Sequence, residues 1–191
     1  MKKILIGTHN KGKFKEIAYL ISKKYKKISP ISLKIKSPKE TGKSFISNSK
    51  LKANFFSKYV DYPVISDDSG LCIKALNNKP GIYSARLAKK YGSFLKAMRF
   101  ILKKMKNKKD RSATFVCSLT YKRKNGKTVS IEGKLKGKIS NRIIGKQGFG
   151  FDPIFIPIGE KITFGQMKKL KKINMDHRFL AFRKLKKKIK I

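Results

Sequence analysis

The sequence predicts a mixed α/β or α+β fold, in which a central sheet is flanked by helices. In the first half of the chain, strand-like apolar runs alternate with segments of helical spacing. In the second half, two strand-like runs flank the pair Asn125-Gly126, and Asn-Gly is the strongest short signal for a β-hairpin. Alternating elements followed by a hairpin indicate one sheet with helices packed against it.

The first half begins with the apolar run Ile4-Leu5-Ile6, which ends at Gly7 and predicts a strand. Asn10 then precedes apolar residues at helical spacing and is a good helix N-cap. In chain order we expect a strand over 3–7, a helix capped by Asn10, a strand over 28–35, a helix over 44–58, a strand over 63–66 and a strand over 71–75.

The second half contains the clearest amphipathic helix, over 94–105, with apolar residues every three or four positions. The hairpin strands are expected over 113–121 and 128–135. A short strand over 154–158 and a final helix from Asp176 complete the prediction.

At 191 residues the chain fits a single domain that spans its whole length, 1–191. Its content of Ile, Leu, Val and Phe is above the ~20% below which a highly charged chain is expected to stay disordered. No apolar run approaches the ~20 residues that span a bilayer, so no membrane is expected as a partner. Cys72 and Cys117 have neither disulfide nor metal-ligand spacing, which favours free thiols and a cytoplasmic protein.

The formal net charge is +40, from 50 Lys and Arg against 10 Asp and Glu. One interpretation is a polyanionic partner such as nucleic acid. The other is a composition bias, because Lys outnumbers Arg and Ile outnumbers Val along the whole chain. Since the excess is not confined to one stripe, we expect a solvated surface and no specific nucleic-acid partner.

The scarce acids lie in glycine-containing polar motifs. Asp67 and Asp68 precede Ser69-Gly70, and Glu40 begins Glu40-Thr41-Gly42. A strand that ends at two acids, with Gly70 allowing a tight turn, would place these side chains at its end. Grouped carboxylates are what Mg²⁺ needs, because it takes hard oxygen ligands and keeps waters and substrate phosphates. The alternative is an Asp turn with a Ser cap.

Three further segments suit a nucleotide. The loop 8–13 lies between a strand and a helix start, where backbone N–H groups meet anions, although an ordinary capped turn fits it too. The loop 145–153 combines glycines with Phe149 and Phe151 and suits base stacking, although a plain glycine-rich loop is the alternative. Asp176-His177-Arg178 opens the last helix, where a simple cap would also explain Asp176.

Together these segments resemble the inosine triphosphate pyrophosphatase family. The matching motifs occur in family order and cover residues 4 to 185. They are Thr8-His9-Asn10-Lys11-Gly12-Lys13, Glu40-Thr41-Gly42 with Phe45, Asn48 and Lys52-Ala53, Asp67-Asp68-Ser69-Gly70-Leu71, Ala75-Leu76-Asn77, Pro80-Gly81-Ile82-Tyr83-Ser84-Ala85-Arg86, Gly148-Phe149-Gly150-Phe151-Asp152-Pro153-Ile154-Phe155, and Lys172 with His177-Arg178.

The resemblance implies an elongated two-lobed α/β fold with an active-site cleft between the lobes, and a homodimer. It implies Mg²⁺-dependent hydrolysis of non-standard purine nucleoside triphosphates (ITP, dITP, XTP) to the monophosphate and pyrophosphate. Glu40 and Asp68 would bind Mg²⁺, and Asp68 would also be the catalytic proton acceptor. The substrate-binding residues would be Thr8, His9, Asn10, Lys11, Gly12, Lys13, Lys52, Ser69, Phe149, Gly150, Phe151, Asp152, Lys172, His177 and Arg178.

The chain departs from the family pattern at Asp176 and Phe179, where Ser and Gly are usual, so the detailed shape of the base pocket is expected to differ. The segment 87–93 is also more basic than expected. Two rival functions remain: a basic nucleic-acid-binding protein without catalysis, and a related pyrophosphatase for dTTP or modified pyrimidine nucleotides. The clustered acids argue against the first because they repel phosphates.

Overall fold

A computed structural model describes residues 1–123 and 126–189. In this part of the chain, seven strands and six α-helices occur. The strands are β1 (Lys2–Gly7), β2 (Tyr25–Ile28), β3 (Val64–Ile73), β4 (Lys79–Pro80), β5 (Ser112–Lys122), β6 (Thr128–Ile139) and β7 (Phe155–Pro157). The helices are α1 (Lys11–Leu20), α2 (Phe45–Phe56), α3 (Ser84–Lys90), α4 (Phe94–Met105), α5 (Lys169–Ile173) and α6 (His177–Lys186).

The strands form a mixed sheet in the order β2-β1-β3-β5-β6-β7, with β4 beside β3. β1 pairs in parallel with β2 and with β3, whereas β6 pairs antiparallel with β7. This confirms the expected mixed α/β class with a central mixed sheet. The elongated shape and the cleft between lobes stay predictions.

The chain divides into two compact units. Unit 1 comprises Met1–Asp68, Cys117–Gly133 and Arg178–Ile191, and unit 2 comprises Ser69–Val116 and Lys134–His177. Each unit is therefore assembled from segments that are distant in sequence, and β3, β5 and β6 contribute residues to both.

In unit 1, alternation along the strands sends side chains to two apolar clusters. Ile4, Ile6 and Ile65 pack with residues of α1 and α6. Leu5 and Val64 pack with Phe56 of α2. Since neighbouring strand residues point to opposite faces, this sheet region lies between α1 and α6 on one side and α2 on the other.

In unit 2, aromatic rings form much of the interior. Phe115 of β5 lies 4.5 Å, centroid to centroid, from Phe155 of β7, and Phe155 lies 5.5 Å from Phe164. The His177 ring stacks on Phe115 at 4.7 Å. The last contact places His177, the first residue of α6, against β5 of the sheet.

Most predicted elements are confirmed, and most of their ends shift by one or two residues; the second hairpin strand ends four residues later than predicted. Asn10 caps α1 by accepting from the Lys13 N–H, and the 94–105 helix has the predicted bounds. The hairpin strands extend to Lys122 and Ile139. The Asn125 part of the predicted turn lies outside the described residues.

Two predictions were wrong. A strand was expected over 28–35, but β2 ends at Ile28, and a 3₁₀ turn follows over Ile31–Leu33. Pro30 explains this, because it has no N–H for a ladder and its φ of −56° suits the turn. The strand was also expected to stop at the Asp pair, but β3 runs on to Ile73 without a turn.

Gly70 has a different role from the tight turn that we expected. It lies within β3, and a Cβ at this position would overlap the Gly81 carbonyl and the Ser84 hydroxyl. The glycine therefore permits the Gly81–Ser84 segment to approach the strand, and Ser84 Oγ accepts from the Leu71 N–H at 3.0 Å.

Cys72 and Cys117 are both in the thiol form and not in a disulfide, as expected, and Cys117 is buried. Among the helices of the described ranges, none combines the length and the apolar character that a membrane crossing requires.

Candidate active site

Asp67 and Asp68 lie in the middle of β3 and point to opposite faces of the sheet. Asp67 follows the same face as Ile65 and meets α1, where Lys13 Nζ lies 3.0 Å from its Oδ2. Asp68 follows the face of Val64 and meets α2, where Asn48 donates to its Oδ2 at 3.0 Å. One strand thus carries two buried carboxylates with different partners.

Asp67 is fully buried. Burial alone would raise its pKa, but the positive charges of Lys13, Lys52 and Arg178 outweigh this effect and hold the pKa at about 2. Asp67 is therefore a permanent anion near neutral pH. Its charge holds Lys13 in place at the first turn of α1.

Asp68 is 4% exposed and has the opposite shift. Burial raises its pKa, Lys13 and Lys52 lower it, and the charge of Glu40 raises it further, so that the net shift is upward. Two neighbouring carboxylates thus differ in proton affinity. A carboxylate with a raised pKa is the better proton acceptor.

Glu40 lies in the loop before α2 and pairs with Lys52 of that helix, with 2.6 Å between Oε1 and Nζ. Lys52 is buried, although a surface lysine would be the usual expectation. Burial lowers its pKa, but Asp67, Glu40 and Asp68 raise it by more, so Lys52 stays protonated. We call Lys13, Glu40, Lys52, Asp67 and Asp68 the carboxylate–lysine cluster.

The carboxylate–lysine cluster suits a divalent cation whose remaining ligands are waters and phosphate oxygens. Glu40 and Asp68 are close enough for the charge of one to raise the pKa of the other. A cation between them would relieve this repulsion. No group of three or more His, Cys, Asp or Glu side chains arranged for a metal occurs within residues 1–123 and 126–189. Two carboxylates suit Mg²⁺, which retains waters and substrate phosphates.

The loop 8–13 uses several of its polar side chains to hold its own shape. Thr8 Oγ1 accepts from the Asn10 N–H, and Asn10 Oδ1 accepts from the Lys13 N–H. His9 Nε2 donates to the Ile35 carbonyl at 2.9 Å. These bonds leave the start of α1 ordered, with Lys11 and Gly12 at its N-terminus, where anions are favoured.

Arg178 belongs to unit 1, where it lies in the first turn of α6. Its Nη1 donates to Glu16 Oε2 at 2.7 Å, and both side chains are at least 93% buried. The charge of Arg178 also reaches Asp67. Arg178 is thus tied to α1, and its predicted contact with a base stays a prediction.

Unit 2 contains a second polar group. Lys172 Nζ lies 2.6 Å from Asp152 Oδ2, and both residues are buried. The same carboxylate oxygen accepts from the Phe149 N–H at 2.8 Å. The Lys172 ammonium also lies 4.6 Å from the centroid of the half-buried Phe149 ring. We call these three residues the aromatic–lysine group.

The other residues predicted around the base have distinct surroundings. Phe151 is 2% exposed and packs edge-on against Phe94, which makes it a core residue. Gly150 has a φ of +67°, a conformation that favours glycine. His177 is buried against Phe115, and Ser69 is half-buried on β3 in unit 2.

The structure therefore brings Lys13, Glu40, Lys52, Asp68 and Arg178 into unit 1, and Asp152, Lys172 and Phe149 together in unit 2.

Sequence reasoning gave Glu16 and Asn48 no role. Glu16 could have been found because acids are scarce and it lies one helical turn after Lys13. Asn48 could have been found because it lies four residues before Lys52, on the same face of α2.

The shifted pKa of Asp67 predicts acid-sensitive stability. A lowered pKa contributes stability that is present above the unfolded pKa of 3.8 and is lost as the pH falls toward about 2. We expect wild type to be more stable than Asp67→Asn by about 2 kcal/mol at pH 6, and the gap to close toward pH 2. Urea unfolding of both proteins in EDTA measures it; a gap that does not depend on pH contradicts it.

The sheet and the carboxylate–lysine cluster define a mixed α/β protein with a buried site suited to phosphate and a divalent cation. A family model described as the Ham1 family matches residues 4–188. The chain belongs to the Ham1 family.

Two kinds of relatives agree with this membership. The chain is 38% identical to a dITP/XTP pyrophosphatase of Caulobacter vibrioides, over 96% of each chain. It is 40% identical to a dITP/XTP pyrophosphatase of Dictyoglomus thermophilum, over 96% of this chain and 92% of that protein. Among solved structures, the Staphylococcus aureus Ham1 protein superposes with a TM-score of 0.86 at 34% identity and covers 97% of each chain.

Proposed function

We propose that this protein hydrolyses non-standard purine nucleoside triphosphates, such as dITP, ITP and XTP, to the monophosphate and pyrophosphate. The observation that carries the proposal is the carboxylate–lysine cluster, in which a buried carboxylate of raised pKa lies beside two lysines. The dITP/XTP pyrophosphatases to which the chain is similar support the choice of substrate.

Mg²⁺ is the cofactor that we propose, with Glu40 and Asp68 as its protein ligands. When bound, it would neutralise charge on the phosphate oxygens and assist the attack of water. The buried Asp68 carboxylate and the half-buried Glu40 carboxylate, which repel each other, support this assignment.

Asp68 is the proposed proton acceptor. A water oxygen bonds to the α-phosphorus, the bond from that phosphorus to the bridging oxygen breaks, and the proton of the water passes to the Asp68 carboxylate. The raised pKa of Asp68 favours this transfer, because a carboxylate whose pKa is nearer the working pH is a better general base.

Lys13 and Lys52 are the proposed holders of the triphosphate. Each ammonium has three N–H donors, so a lysine paired with one carboxylate keeps donors for phosphate oxygens. The loop 8–13 adds backbone N–H groups at the start of α1. Together these groups stabilise the charge that develops on the departing pyrophosphate.

The aromatic–lysine group of unit 2 is the proposed base-binding group, together with His177 of the same unit. The resemblance to the pyrophosphatase family also assigns Arg178 to the base. The half-buried Phe149 ring offers a face for stacking. A donor facing the 6-oxo group of hypoxanthine or xanthine would meet an N–H₂ in adenine, and such a mismatch costs about 1–3 kcal/mol.

Homodimer formation and a cytoplasmic location complete the proposal. The homodimer rests on the resemblance to the pyrophosphatase family, and the cytoplasmic location rests on Cys72 and Cys117, which form no disulfide. Gel filtration with light scattering measures the mass directly.

A screen for pyrophosphate release tests the proposed function. We expect activity with ITP, dITP and XTP in the presence of Mg²⁺, much less with ATP, GTP and dTTP, and loss of activity with EDTA. Release of orthophosphate, or activity that is unaffected by EDTA, would contradict the proposal. A preference for dTTP would support the pyrimidine alternative instead.

A further inference from the structure

We propose that Asn48 is a positioning residue for Asp68, a role that rests on the proposed pyrophosphatase function. Asn48 lies on α2 and is completely buried. Its Nδ2 donates to Asp68 Oδ2 at 3.0 Å, and its Oδ1 accepts from the Gly42 N–H at 2.8 Å. One amide therefore joins the carboxylate on β3 to the loop that carries Glu40.

The orientation of this amide is fixed by chemistry. The Gly42 N–H is only a donor, so the amide atom facing it must be the oxygen. The NH₂ group then faces Asp68, whose carboxylate oxygen is the acceptor. The Asn48 side chain thus holds Asp68 Oδ2 in one place, and it leaves Oδ1 outside this bond.

Gly42 is the residue that allows the contact. A Cβ at this position would overlap Asn48 Oδ1 and Ser47 Oγ. The loop can approach α2 closely enough for the hydrogen bond only because residue 42 has no side chain. Gly42→Ala should therefore displace the Asn48 amide without changing Asn48 itself.

The next residue of α2 provides a matched control. Ser49 is also completely buried, and its hydroxyl lies 2.9 Å from Ser118 Oγ and 2.8 Å from Thr120 Oγ1 of β5. Ser49 therefore anchors α2 through hydrogen bonds that do not involve Asp68. Ser49→Ala removes buried hydrogen bonds from the same helix, one residue from Asn48.

Positioning matters here because Asp68 must serve two proposed roles from one place. Groups that orient a metal-binding or catalytic side chain typically change metal affinity or activity by 10–100-fold when they are removed. A shift of about 1 Å in a reacting group has a comparable effect. The same range is expected when Asp68 loses its Asn48 partner.

The experiment compares wild type, Asn48→Leu, Gly42→Ala and Ser49→Ala. Pyrophosphate release from ITP gives kcat. Calorimetry with α,β-imido-ITP, which cannot be cleaved at the reacting bond, gives binding with and without Mg²⁺ and does not depend on turnover. Thermal melts report the stability of each variant.

We expect Asn48→Leu and Gly42→Ala to lower kcat by about 10–100-fold and to lose most of the Mg²⁺-dependent gain in analogue binding. Binding without Mg²⁺ should stay near that of wild type. Ser49→Ala should melt earlier but keep both kcat and the Mg²⁺-dependent gain.

Two results would overturn the proposal. In the first, Asn48→Leu or Gly42→Ala retains both the wild-type kcat and the Mg²⁺-dependent gain while folded. In the second, Ser49→Ala loses as much as Asn48→Leu at equal stability, so that α2 acts only as a scaffold. A wild-type protein that releases no pyrophosphate would instead refute the proposed function. This result comes from wild type alone, so it can be distinguished from a failure of the Asn48 proposal.

Discussion

Asp68→Asn is expected to lower kcat by at least about 100-fold, within the usual range for loss of a general base. The amide keeps the shape of the side chain, and its oxygen can still accept the hydrogen bond from Asn48 Nδ2. The substitution removes only the negative charge and the proton affinity. Steady-state pyrophosphate release from ITP measures the effect.

Stability provides the control for this variant. Burial and the charge of Glu40 both raise the pKa of Asp68. The substitution removes the repulsion between the Asp68 and Glu40 carboxylates, so it should not lower the melting temperature strongly. A folded Asp68→Asn protein that retains most of the wild-type kcat would move the role of proton acceptor to Asp67 or Glu40.

Arg178→Ala is expected to destabilise the protein by about 3–5 kcal/mol, because it removes a charged, hydrogen-bonded partner from the buried Glu16 carboxylate. Adding Glu16→Gln should recover part of this loss, since the buried charge then disappears. Urea unfolding of wild type, both single variants and the double variant measures the coupling between the two residues. Additive effects would contradict a direct pairing.

The double variant also separates folding from recognition of the base. If Arg178 reads the 6-oxo group, kcat/KM for ITP should fall by more than kcat/KM for ATP, and the ratio of the two should shrink. An unchanged ratio in a folded Arg178→Ala/Glu16→Gln protein would assign Arg178 to phosphate or to structure. Asp152 and the loop backbone would then be the candidates for reading the base.

Much of the fold could be predicted because the local signals are strong. Ser44 and Asn10 cap their helices as their residue types suggest, and the 94–105 segment has an unambiguous helical spacing. The continuation of β3 through Ser69-Gly70 was missed because Asp, Ser and Gly are usual in turns. The approach of Gly81 and Ser84, which requires Gly70, is a tertiary contact that a local pattern does not contain.

The candidate site could be predicted in its residue types but not in its pairings. The scarcity of acids drew attention to Glu40, Asp67 and Asp68. Which carboxylate meets Lys13 and which meets Asn48 depends on the faces of β3 that α1 and α2 cover. Glu16 and Arg178 are separated by 162 positions along the chain, so only the folded protein brings them together.

Unit 1 draws its interior from both ends of the chain, because Ile4 and Ile17 pack in the same cluster as Phe182 and Leu185. During synthesis, the first residues leave the ribosome long before the last ones, so the nascent chain cannot close this cluster. The interactions of Glu16 and Asp67 with Arg178 can form only after Arg178 has been synthesised, and contacts of such long range are slow to form. Catalytic competence should therefore arise only after residues 178–185 have emerged from the ribosome, and a ribosome-bound chain that exposes residues 1–160 should be protease-sensitive and inactive.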